Sequence, residues 1–177
     1  IGMLTDLQTD VVSNKSAALQ KLILEKVRND DILLNVNMNY WRSFKDWDGN
    51  YDIDSRGAVA FETMMYYLSV DYFQENFPEE YKQNYFLNDN RWQLLLPDLI
   101  NKDTAEKLVL RLLSAMENGE AHFNEYRTWG DMHRLVFGSL AARFPIIGKN
   151  YLLADIPMGG TSNTLMKSAH EFTPVKH

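Results

Sequence analysis

The chain has 177 residues, 45% of them hydrophobic and 12% aromatic, enough to bury a substantial core. Eighteen basic against 24 acidic residues give a net charge of -6, the wrong sign for a surface that gains affinity by neutralising phosphates, so no nucleic-acid partner is expected. The absence of cysteine excludes thiol nucleophiles, disulfides and cysteine-ligated zinc or iron–sulfur centres.

The first predicted element runs from Leu4 to about Arg28. Leu4, Leu7, Val11, Ala18 and Leu22 fall at helical spacings, Leu19, Ile23 and Val27 widen the apolar face, and Thr5 with Gln8 fits a capping box. "DILLNVNMNYW" reads as a turn and then a short helix carrying Tyr40, Trp41 and Phe44; the stripe "YWRSFKDW" is expected to pack in the core. A long amphipathic helix is predicted from about Ser55 to Phe77, because Ala58, Phe61, Met65, Leu68 and Tyr72 share one face, with Asp54 or Ser55 as its cap.

Between these elements lies "DWDGNYDIDS", residues 46–55, whose four aspartates suggest a calcium loop. Such a loop needs glycine at position 6 and glutamate at position 12. Counted from Asp46 these positions hold Tyr51 and Gly57, and counted from Asp48 they hold Ile53 and Val59. The calcium reading fails, and capping and turn formation are the expected roles, since a helix amino terminus favours negative charge by ~0.3–1 kcal/mol.

Pro78 is expected to stop or restart the long helix, "PEEYKQNYFLND" to continue as a short one, and Pro97 to interrupt the apolar run "RWQLLLPDLI". Another helix follows, with Asp103 and Glu106 at capping-box spacing, a face of Ala105, Leu108, Val109, Leu112 and Met116, and Gly119 as a left-handed carboxyl cap. The later segments "TWGDMHRLVF", "RFPIIGKNY" and "DIPMGGTSNTLMKSAHEFTPV" are rich in glycine, proline and small polar residues and predict short strands and turns. One region, 1–177, is expected: helical over about 4–120, turns and strands over about 121–177, without a complete catalytic domain. No run approaches the roughly 18 apolar residues of a membrane span, and no signal-peptide pattern opens the chain, so a soluble chain without a membrane partner is expected. The start at Ile1 and the unpunctuated end "FTPVKH" suggest a piece of a longer polypeptide.

Catalytic patterns are sparse. No G-x-S-x-G, H-E-x-x-H, G-x-x-x-x-G-K-[ST] or G-x-G-x-x-G occurs. Asp131 and His133 are the candidate catalytic residues, an acid–base pair only if their segment is extended, because side chains two apart then face the same way. A hydrogen-bonding structural role is the stronger expectation for His133. "GGTSNT", residues 159–164, is expected to be a turn between strands, with an anion-holding nest of amides as the weaker alternative. No metal-binding and no cofactor-binding residue is predicted in this chain.

The landmarks "LQTDVVS" opening a helix, "WDG" before a long aromatic-rich helix, a leucine helix, "TWGDMHR" and "PMGGTSNT" occur in that order. The set resembles the penicillin amidase (penicillin acylase) family of N-terminal nucleophile hydrolases, which includes acyl-homoserine-lactone acylases. The resemblance implies a mainly α chain of amphipathic helices with a short irregular and β carboxyl-terminal part, an interior piece of the large chain of an αββα hydrolase that cleaves a linear acyl amide. The family's nucleophile is the amino-terminal Ser of the large chain, its own α-amino group the base. Ile1 has no hydroxyl or thiol and cannot take that role. The oxyanion-hole asparagine and its partner arginine are expected upstream, outside this sequence, so no catalytic residue of the family falls here.

The resemblance further implies, as partners, the remainder of the large chain, a small chain cut from the same precursor and a small-molecule acyl amide, with calcium possible in the parent and a periplasmic or extracellular location. This piece alone is expected to be inactive and to self-associate through uncovered apolar surface. The alternative is a stand-alone helical protein-interaction module.

Overall fold

A computed structural model of the chain describes residues 9–27, 31–76, 78, 92–138 and 152–166. Among the described residues the fold is mainly helical, with seven helices and one two-stranded antiparallel sheet. None of these helices is long and apolar enough to cross a membrane.

Helix α1 is Asn14–Lys26. It starts ten residues later than the apolar spacing predicts: Leu4, Thr5, Leu7 and Gln8 lie outside the described residues, and residues 9–13 are not helical. The reason is local. Asp10 Oδ1 accepts from Val12 N at 2.9 Å, Val11 and Ser13 bond to the backbone of the acidic loop, and the Ser13 hydroxyl accepts from Ser16 N at 3.2 Å as the true cap. The buried face is Ser16, Leu19, Gln20 and Ile23, whereas Ala18 is exposed. Gln20 Nε2 donates to Phe44 O at 2.7 Å and Trp47 O at 2.8 Å, tying α1 to the loop that follows α3.

The predicted turn is a helix, α2 (Asp31–Val36), and the predicted short helix is α3 (Met38–Lys45), capped by Asn37, whose Oδ1 accepts from Tyr40 N at 2.9 Å. Tyr40, Trp41, Phe44 and Trp47 are buried, as the aromatic stripe predicts. Helix α4 (Arg56–Asn76) follows the prediction closely: Ser55 Oγ accepts from Ala58 N at 3.1 Å, all five predicted face residues are buried, and the helix ends two residues before Pro78. The short helix predicted from "PEEYKQNYFLND" falls outside the described residues.

Pro97 does not break the next segment. Helix α5 (Trp92–Lys102) runs through it. Proline removes one helical hydrogen bond, and the burial of Leu96 and Ile100 on the core side offsets that loss. Helix α6 (Ala105–Glu125) is capped one residue later than predicted, by Thr104, whose Oγ1 accepts from Lys107 N at 3.2 Å. Asp103 is unavailable for capping because it accepts from Arg111 Nε and the Tyr72 hydroxyl, both at 2.8 Å. Arg111 also pairs with Asp71 and Glu75 and lies over the Tyr72 ring, so one guanidinium joins α4, α6 and the turn between α5 and α6.

Gly119 is not a carboxyl cap but an interior residue of α6. A Cβ there would sit 2.6 Å from the Tyr40 hydroxyl and 3.2 Å from Tyr67 Cδ2. The glycine gives Tyr40 room to stack on Phe123, ring centroids 4.3 Å apart, and to share a 2.7 Å hydrogen bond with Thr63. Of the predicted face, Leu108, Leu112 and Met116 are buried and Ala105 and Val109 half-buried.

The first half of "TWGDMHRLVF" is a helical turn, α7 (Trp129–Met132), and the second half is β1 (Arg134–Gly138). Strand β1 pairs with β2 (Leu152–Pro157) in antiparallel register, Arg134 opposite Pro157 and Leu135 opposite Ile156. "RFPIIGKNY" lies outside the described residues.

Candidate functional site

Four stretches far apart in sequence meet at one junction: Asp10–Ser13, the acidic loop, α7 with His133, and the turn after β2. Backbone bonds do most of the joining. Tyr51 N donates to Val11 O and Ser13 N to Gly49 O, both at 2.9 Å; Trp129 N donates to Ser55 O at 2.9 Å and Gly130 N to Ile53 O at 2.7 Å; Gly160 N donates to Tyr51 O at 2.9 Å. The Trp129 indole N–H reaches Gly160 O at 3.0 Å, and its ring meets Tyr51 edge-on at 5.1 Å.

Two glycines of the junction have positive φ, Gly49 at 87° and Gly160 at 76°. That conformation carries a steric penalty for residues with a Cβ. A Cβ on Gly49 would also press on Ala17 Cβ at 3.0 Å, and one on Gly160 would meet Met166 O at 2.4 Å. After Gly160 the chain turns back, with Thr164 Oγ1 accepting from Thr161 N at 2.9 Å. "GGTSNT" is thus a turn closed by its own threonine, while the position of the strand expected after it lies outside the described residues.

Asp131 and His133 both belong to this junction, in different hydrogen-bond networks. Asp131 Oδ2 accepts from Arg127 N and Thr128 N, both at 3.2 Å, completing a capping box on α7. His133 is 3% exposed. Its Nδ1 donates to Met158 O at 3.0 Å, Met158 N returns a 3.0 Å bond to His133 O, and the Trp129 ring lies 5.0 Å away. Burial lowers the imidazole pKa, against the opposing pull of the Met158 carbonyl, and so favours the neutral ring.

A second polar cluster lies beside the junction. Ser13, Ser16, Tyr51 and Glu62 form a chain of hydroxyl contacts: Ser13 Oγ to Ser16 Oγ at 2.9 Å, Ser16 Oγ to the Tyr51 hydroxyl at 3.1 Å, and Tyr51 to Glu62 Oε1 at 2.5 Å. Desolvation pushes the Glu62 carboxyl up to about 7, with the Tyr51 hydrogen bond opposing, and holds the Tyr51 phenol well above its ordinary value. With one proton, the Tyr51 hydroxyl donates either to an ionised Glu62 or, once Glu62 is protonated and donates to it, onward to Ser16. Sequence reading missed this cluster. Its one signal is a glutamate at position 62, between Ala58 and Met65 on an apolar helix face.

The acidic loop uses its carboxylates locally. Asp48 Oδ1 accepts from Asn50 N at 3.0 Å and Asp52 Oδ1 from Ile53 N at 2.7 Å, while Asp46 caps the end of α3 through its backbone N–H, which donates to Arg42 O. Among the described residues no three His, Asp or Glu side chains converge to hold a metal ion. Separately, a cavity of about 240 Å³ opens between α1, α4 and α5, and an apolar groove of about 790 Å³ runs between α1, α2 and α6.

No curated protein sequence matches the chain. A family model described as penicillin amidase matches residues 2–177, the stretch that holds every landmark of the junction. The chain belongs to the penicillin amidase family.

Proposed function

We propose that this chain is the mainly helical part of an amidohydrolase that cleaves an acyl amide through an N-terminal Ser supplied from outside the 177 residues. One observation carries the reading: in a member of this family, the acid–base pair that the sequence suggests, Asp131 and His133, is engaged in capping a helical turn and clamping a strand end. A nucleophile that is its own base leaves no proton-transfer role for a histidine to fill. The junction then serves as scaffold, holding α4, α7 and the sheet in fixed relation. The remaining large chain and a small chain from the same precursor are its partners, the acyl amide its substrate, and the periplasm or cell exterior its location; any calcium would be held elsewhere in the parent.

The test compares this chain with the full-length protein on a chromogenic acyl anilide. The full-length protein should turn over and carry an amino-terminal Ser on its mature large chain, while the isolated chain stays at the background rate. Turnover by the isolated chain that survives repurification refutes the reading.

A second reading, a helical interaction module, draws on the exposed Ile32, Val36 and Leu110, the first and last of which line the groove between α1, α2 and α6. It predicts that the full-length protein binds a partner through this face and hydrolyses no acyl anilide.

A further inference from the structure

The cavity between α1, α4 and α5 has an asymmetric lining. Leu19, Leu22, Phe61, Met65 and Pro97 make its apolar walls, and Lys15 and Ser16 supply its polar groups. Lys15 has no ion pair with a carboxylate among the described residues. Ser16 is 3% exposed and already joined to Ser13 and Tyr51, so the lysine is the polar group left to receive a ligand. Concave sites with apolar walls and a few convergent polar groups are the usual form of small-molecule pockets.

From this pairing of an apolar cavity with an uncompensated cation we propose that the cavity binds a monocarboxylate with a compact apolar tail, the tail among Leu22, Phe61 and Met65 and the carboxylate on Lys15. None of its lining residues takes part in the junction's backbone bonds.

Size narrows the class. An apolar cavity of ~150 Å³ takes one benzene ring, so about 240 Å³ suits a tail of roughly eight carbons or a ring with a short chain. A dicarboxylate or a sugar would leave polar groups against the apolar walls without partners. Burial lowers the Lys15 pKa with no contribution from a neighbouring charge, in keeping with an ammonium that gains from an anion beside it. A lysine–carboxylate contact at a partly desolvated rim is a charge-assisted hydrogen bond.

The experiment uses the full-length protein labelled with ¹³C at methionine methyls, the Met65 signal being assigned by its loss in Met65→Leu. Octanoate and 1-octanol are titrated in turn. Octanoate should shift the Met65 methyl saturably and bind at least tenfold more tightly than octanol. Lys15→Met, a surface change, should remove that preference while leaving octanol binding within about threefold. Ala18→Phe, an exposed position at the rim, should block both ligands without lowering the melting temperature. A Met65 signal that does not move with octanoate overturns the proposal. So does a preference for octanoate that persists unchanged in Lys15→Met. Binding of octanoate at the hydrolytic centre is distinguishable, because neither variant would alter it and it would not shift Met65.

Discussion

Replacing Arg111 by Met tests how α4 and α6 are held together. The guanidinium is 7% exposed and serves three carboxylates of unequal burial: Asp103 is 8% exposed, Asp71 34% and Glu75 49%. Asp71 and Glu75 recover much of their hydration when the arginine is lost, so their pairs contribute little. Asp103 cannot. Breaking a buried pair by removing one partner costs ~3–5 kcal/mol, because the other charge is left desolvated. Lys107 Nζ, 3.5 Å from Asp103 Oδ1, and the Tyr72 hydroxyl remain to support it, which places the cost near the lower end, about 3 kcal/mol. For a chain of this size that is a fall of ~6–12 °C in melting temperature. Far-UV circular dichroism during thermal and urea unfolding measures it. The double variant Arg111→Met with Asp103→Leu should be more stable than Arg111→Met alone, since it removes the stranded charge. A single-variant loss below about 1 kcal/mol, or a double variant no better than the single, refutes the view that Asp103 is the carboxylate that depends on Arg111.

His133→Ala in the full-length protein should cost ~1–3 kcal/mol, since it leaves the Met158 carbonyl unpaired, while turnover of the correctly processed fraction stays within about tenfold. A hundredfold loss with unchanged melting temperature and processing places the residue in catalysis. The lowered His133 pKa makes its contribution to stability full above 6.5, the ordinary imidazole value, and progressively lost as pH falls below it; His133→Ala should flatten that acid limb of the melting curve. Glu62 acts in the opposite sense: raised from 4.5 to about 7, its contribution is full below 4.5 and lost as pH rises toward 7. Glu62→Gln should therefore flatten the slope of melting temperature against pH in that window, and an unaltered slope means the carboxyl is not desolvated. Leu112→Asp, at a position fully buried, should be severely destabilising because it removes apolar burial and desolvates a charge; unchanged helicity and melting temperature would show that α6 does not bury that face.

Legibility from sequence followed the periodicity of the helices. Helix α4 and the buried face of α6 were readable because their apolar residues repeat over many turns. Boundaries failed where a stronger competitor lay nearby. Thr5 and Gln8 matched a capping box, yet Ser13 caps the helix, because the backbone of residues 11–13 is engaged by the acidic loop. Asp103 and Glu106 matched a capping box, but Arg111 holds Asp103 and Thr104 takes the cap. Gly119 looked like a terminus because its packing partner Tyr40 is 79 residues away (119 − 40). At the junction, the landmark stretches were readable in order, but not their meeting. Backbone carbonyls hold it, and every residue carries one. Glu62 and Arg111 sit on apolar faces in the sequence, and only their partners distinguish them from solvent-facing charges.

The junction also bears on how the chain reaches its fold. Its bonds link residues 109 apart at Tyr51 and Gly160 (160 − 51) and 74 apart at Trp129 and Ser55 (129 − 55), whereas each helix closes its own bonds four residues at a time. Contacts at such separation require the loop entropy to be spent before they return anything. Each helix can therefore close its own bonds before the junction does. The junction amides at Ser13, Tyr51, Trp129, Gly130 and Gly160 should open together to solvent in hydrogen exchange, as one cooperative unit distinct from the helical core.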